Sequence, residues 1–291
     1  MSWLNPLTWP TEPLVIVGVE VTAALYVWGG SRRTHVVRGP KGWGPPQWRT
    51  AAFFSGLAVI LIALDTPLET LARELFWAHM TQHLLLIMVA APLLVIAAPG
   101  LQIWRSLPLS IRRPLARAAF KHPSMRPIRR FFLLATGPVT AWLLSSGNLW
   151  LWHWPLAYDL TLRDHAVHHL EHALFLGLGI LFWAQVIDQP PFRCRMSQIK
   201  RVAYVFLAAV QAWALAILLG YASAPYYAYA QLPWRPGGIS ALTDQQLGAG
   251  IMWVPGSITY AILIIVCIYL WLRDEDRAAQ GIARPVEVAV K

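Results

Sequence analysis

The sequence predicts an all-α protein, a polytopic membrane helical bundle of seven transmembrane helices forming one domain over residues 1–291. Three observations carry that reading. Residues of the hydrophobic class make up 57% of the chain and charged residues only 13%, about half the charged share of a soluble globular domain. Apolar runs of membrane-spanning length recur along the chain, without the apolar–polar alternation that barrel strands need. All Lys and Arg except Arg73, Arg163 and Arg235 fall in alternate connections between those runs and in the C-terminal tail. The 16 Trp agree, since indoles collect at membrane interfaces.

The expected spans are Leu14–Trp28, Thr50–Asp65, Leu75–Ala98, Phe131–Trp154, Ala166–Ile187, Val202–Tyr221 and Leu247–Leu272. The first is short and carries Glu20. The segment before it lacks the basic start of a signal peptide, so insertion is expected to rest on this span itself. Pro92, Pro138 and Pro255 fall inside spans, which is tolerated where neighbours re-satisfy the freed carbonyls. Between spans three and four, residues of about 101–130 interleave Arg105, Arg112, Arg113, Arg117, Lys121 and Arg126 with Trp104, Leu107, Ile111, Leu115 and Ala118. That pattern predicts an amphipathic helix lying on membrane lipids, and it removes nucleic acid as the explanation of the +10 net charge. Thr243–Gln246 offers an N-cap for the last span.

Orientation follows from charge. With seven spans, the basic connections and the tail of residues 273–291 share one side, which the positive-inside rule makes cytoplasmic. The N-terminus is then outside and the C-terminus cytoplasmic, in a plasma membrane.

Seven of the nine histidines now fall at the outer ends of spans three to five. His79 and His83 are four apart on span three, His153 closes span four, and His165, His168, His169 and His172 open span five. Residues four apart share a helix face. Imidazoles inside a membrane are costly without a partner and mark functional sites. They suit copper, zinc and iron. His79, His83, His153, His168 and His172 are the principal candidate metal ligands. His165 and His169, one register over, are weaker candidates, as are Met80 and Met252, whose thioethers favour Cu(I). Glu171 could accept a hydrogen bond that fixes a ring tautomer. Cys194 and Cys267 form neither a disulfide framework nor a CxxC copper site. No GxSxG, phosphate loop or paired buried carboxylates point to catalysis, so the protein is not expected to be an enzyme.

Four passages in order, AHMTQHLLLIMVAAPLL from Ala78, LWHWPLAYD from Leu151, VHHLEHALF from Val167 and DQQLGAGIMWVPG from Asp244, resemble the caa3-type CtaG family of cytochrome c oxidase assembly factors. The resemblance runs from about span two through span seven. It implies a multi-pass protein of the bacterial plasma (inner) membrane linked to copper insertion into oxidase, with the oxidase, above all its copper-bearing subunit II, as partner. It maps the family's paired histidines to His79 and His83, its WHxP histidine to His153 and its HxxEH pair to His168 and His172. Its last motif maps to Asp244, Gln245, Gln246, Gly250, Met252 and Trp253. Two competing readings remain at this level. A membrane di-iron hydroxylase or desaturase would use HxxxH and HxxHH patterns but on the cytoplasmic side, and a haem protein would use axial histidines on facing helices.

Overall fold

In a computed structural model, residues 12–31, 46–189, 196–231 and 236–279 are described. Several basic residues of the expected cytoplasmic side lie outside them (Arg32, Arg33, Arg38, Lys41, Arg193, Arg195, Arg284 and Lys291), as do Arg235 and Cys194. The helices are α1 (Pro13–Ser31), α2 (Gln47–Leu64), α3 (Pro67–Ala72), α4 (Phe76–Leu84), α5 (Ala91–Ala97), α6 (Gly100–Ser106), α7 (Leu109–Lys121), α8 (Arg126–Ala135), α9 (Pro138–Trp152), α10 (Pro155–Arg163), α11 (His165–Trp183), α12 (Gln198–Gly220) and α13 (Ala241–Ala279). A π-helical segment, Leu85–Ala90, joins α4 to α5.

Among the described residues, six helices are long and apolar enough to cross a membrane: α1, α2, the α4–α5 unit Phe76–Ala97, α11, α12 and α13. The expected fourth span is not one continuous helix. Pro138 disfavours helical geometry in the residue before it, and Gly137 is extended at φ −71°, ψ 157°. The chain therefore leaves α8 at Ala135 and restarts with Pro138 at the first position of α9. The 15 residues of α9 reach about 22 Å. The stretch expected as one amphipathic helix over about residues 101–130 is divided among α6, α7 and α8.

The π segment is the answer to Pro92. A proline cannot donate to the carbonyl four residues back. That carbonyl, Met88 O, accepts from Thr259 Oγ1 at 3.3 Å, and Ile87 O accepts from Trp183 Nε1 at 2.6 Å. Neighbouring helices thus supply the donors that the expectation required.

Ion pairs and hydrogen bonds tie the helix ends into two groups. Glu12, before α1, donates its N–H to Asp65 after α2 and pairs with Arg73 before α4 and His169 of α11. His153 after α9 reaches Met80 of α4 at the same end. At the opposite end Arg49 of α2 bonds Gln189, and Arg201 of α12 pairs with Asp188. Large apolar side chains face outward along the bundle, including Val17 and Val21 of α1, Leu143 of α9, Phe206 of α12 and Ile258, Ile262 and Ile265 of α13. Such a belt suits hydrocarbon rather than water.

Candidate metal centre

Two devices fix the helix that carries His79 and His83. The Asp244 carboxylate, from α13, accepts the first two amide N–H groups of α4: Oδ2 from Phe76 N at 2.8 Å and Oδ1 from Trp77 N at 3.0 Å. These donors have no partner within their own helix. Asp244 therefore caps α4 rather than α13, whose own first turn is met by Ser240, with Oγ accepting from Thr243 N at 3.0 Å. That corrects the expected role of Thr243–Gln246. Next to it, Gln245 accepts from Tyr226 N and donates to Leu219 O. Close approach is the second device. A Cβ on Gly248 would stand 2.3 Å from the Phe76 ring, so only glycine lets α13 lie against α4 here.

On that scaffold the ligand atoms of His79, His168, Glu171 and His172 all lie within 4.8 Å of one another, and all four residues are buried. His79 Nε2 is 3.3 Å from Glu171 Oε2, and His83 Nε2 is 3.5 Å from Glu171 Oε1. Ligand atoms about 2.0–2.1 Å from a tetrahedral metal are roughly 3.3–3.4 Å apart. Among the described residues, His79 Nε2, both nitrogens of His83 and His172 Nε2 have no hydrogen-bond partner. Buried polar atoms are ordinarily satisfied. A single proton on Glu171 could serve only one of His79 and His83.

The surroundings orient the rings. Tyr229 OH donates to Ala72 O, so the Tyr229 oxygen is the acceptor for Tyr158 OH at 3.3 Å. Tyr158 has then spent its proton, and its contact with His79 Nδ1 at 2.9 Å must be donated by the imidazole. His79 therefore carries its proton on Nδ1 and turns the Nε2 lone pair toward Glu171. Burial pushes the Tyr158 and Tyr229 phenols well above the usual tyrosine value, so they stay protonated as this chain requires. His168 Nδ1 is 3.7 Å from Glu69 Oε1, a carboxylate itself held by Arg73 and by Gln82 Nε2 at 2.7 Å.

The expected ligands thus separate into groups. His79, His168 and His172 come together, and His83 stands beside them, its ring 4.4 Å from that of His79. His153 lies on the far side of His83, ring centroids 6.3 Å apart, with its Nε2 3.2 Å from Met80 Sδ. His165 and His169 do not join the centre. They gather with Glu12 nearer the surface. Met252 lines a cavity of about 70 Å³ together with Met80, His83 and His153. Gln246, Gly250 and Trp253 are exposed. Glu171, expected only as a ring-orienting acceptor, places a carboxylate oxygen among the ring nitrogens of His79, His168 and His172. Glu69 and Tyr158 were not foreseen, although Tyr158 stands inside the LWHWPLAYD passage.

A family model described as cytochrome c oxidase caa3 assembly factor matches residues 24–274. An uncharacterised protein of Mycobacterium leprae is 25% identical over 93% of this chain and 40% of its own length. Uncharacterised proteins of Mycobacterium bovis and Mycobacterium tuberculosis are each 26% identical over 80% of this chain and 35% of their own length. The chain therefore spans well under half of the curated relatives it matches. No solved structure matches it significantly.

Proposed function

We propose, from the premise that this chain belongs to the cytochrome c oxidase caa3 assembly factor family, that it binds copper at the extracytoplasmic end of a seven-span bundle and serves maturation of an oxidase copper centre. The role is non-catalytic: the protein holds the metal for a client, the copper-bearing subunit II, at the outer face of the bacterial plasma membrane. The observation that carries the reading is the set of buried ring nitrogens of His79, His83 and His172 that no hydrogen bond satisfies, gathered around the buried Glu171 carboxylate. Imidazole and carboxylate together suit a copper ion as cargo. The set holds no cysteine, which fits a site that must release its metal.

The seventh crossing in this reading is α9. It is shorter than the other six but packs between α11 and α12, and it brings His153 to the histidine end. Counting it, the histidine end carries few basic residues and the opposite end carries Arg49, Arg105, Arg112, Arg113, Arg201 and Arg273. The positive-inside rule makes that opposite end cytoplasmic.

The test is oxidase copper in a strain lacking the gene, complemented with wild type or with His79→Ala/His83→Ala. Wild type should restore oxidase copper and the double variant should not, at equal membrane abundance. Restoration by both would remove the centre from the function.

A further inference from the structure

We propose that the chain carries a second, softer metal subsite, formed by Met80 Sδ and His153 Nε2 on the wall of the cavity among α4, α9, α11, α12 and α13, which takes a monovalent ion of the Cu(I) or Ag(I) class. It rests on the copper-handling reading and adds to it a division of labour between two chemically different sites.

The starting point is a contact with no proton in it. His153 Nδ1 lies 2.7 Å from Leu149 O, and a carbonyl can only accept, so that nitrogen carries the imidazole proton. The neutral ring then presents the lone pair of Nε2 to the thioether sulfur 3.2 Å away. A thioether has no proton to give. Two electron-pair donors thus face one another, both residues buried at 1% and 5% exposure. A cation between them turns this confrontation into coordination. Met80 has three rotatable bonds, so its sulfur can withdraw to admit the ion.

The kind of ion follows from the donors. Thioether with imidazole selects soft Cu(I), whereas three imidazoles with a carboxylate suit borderline divalent ions. The cavity beside the pair measures about 70 Å³ and is also lined by His83, Met252, Asn148 and Gln211. It exceeds the space a single water needs. His83 links the two sites: its Nε2 is 3.5 Å from Glu171 Oε1, its ring borders the cavity, and its Nδ1 is buried without a partner.

The full-length protein in detergent, titrated separately with Ag(I) and with Zn(II) and followed by equilibrium dialysis, separates the sites without redox chemistry. Met80→Leu, which conserves volume, should weaken Ag(I) at least tenfold and leave Zn(II) within twofold. Glu171→Gln should do the reverse. Unchanged Ag(I) affinity in Met80→Leu overturns the subsite. Zn(II) binding without any Ag(I) binding overturns it while sparing the imidazole–carboxylate centre. Ag(I) binding that depends on Met80, with no Zn(II) binding, spares the subsite and overturns that centre instead. Binding of neither ion overturns both. Should Met80→Leu fail to fold, X-ray absorption of Ag(I) on the wild type decides: sulfur and nitrogen neighbours together are expected, and nitrogen or oxygen alone overturns the proposal.

Discussion

The hydroxyl of Tyr158 stands 2.9 Å from His79 Nδ1, and because its own proton goes to Tyr229 it receives the imidazole proton rather than giving one. One tyrosine thereby decides which nitrogen of His79 is available to a metal. Tyr158→Phe should keep the fold, since the ring packs in the same apolar cluster as Phe76 and Tyr227. It should lower metal affinity by about 10–100-fold, the usual effect of losing a group that orients a ligand. Equilibrium dialysis on purified protein checks this, with unchanged thermal stability as the control for packing.

Asp244 acts on the same helix from its other side. Asp244→Ala leaves the Phe76 and Trp77 amides without their acceptor. Loss of an N-cap costs about 0.5–2 kcal/mol, and here the cap also joins α13 to α4. A lower thermal midpoint is expected, together with weaker metal binding because His79 sits on the first turn of α4. Gln246→Ala, exposed two residues further along α13, should change neither.

Protons compete with metal for the same lone pairs. Imidazole ordinarily titrates near about 6.5, and ligand atoms must be deprotonated to bind. Affinity should therefore fall on acidification, as protons take up the ring nitrogens that the metal needs, and binding in that acidic range should release protons. Isothermal titration in buffers of differing ionisation enthalpy measures that release. Affinity rising on acidification would be inconsistent with an imidazole centre.

The membrane arrangement has its own check. A reporter fused after Lys291 should behave as cytoplasmic, and one inserted between Tyr229 and Ser240 as extracytoplasmic. Periplasmic behaviour of the first would reverse the placement of every histidine.

Much of this was legible in the chain because membrane spans are written as length and apolarity, and α-helical register puts residues four apart on one face. The expected meeting of His79, His83, His153 and His168 at one end is seen in their contacts. What was not legible depends on packing between helices. Span four loses its first turns to the Gly137–Pro138 junction, a local backbone preference that a hydropathy run conceals. Asp244 reads as the cap of its own helix until α13 is laid on α4 through Gly248. Glu69 and Tyr158 come from the short helices α3 and α10, whose sequence says nothing of the direction they face. Glu171 shares a face with His168, but spacing alone does not distinguish a ligand from a hydrogen-bond acceptor. His153, just past the end of α9, meets Met80 rather than Glu171, a choice of neighbour that sequence does not encode in any pattern of a few residues.

The most direct measurement is the metal content of purified wild-type protein and of Glu171→Gln after loading with Cu(II) in the absence of reductant and removal of excess ion. Stoichiometric copper in the wild type, sharply reduced in Glu171→Gln at equal folding and abundance, is expected of a centre built on His79, His168, Glu171 and His172. Copper retained in full by the variant, or a wild type that holds no copper but two irons per chain, would contradict it.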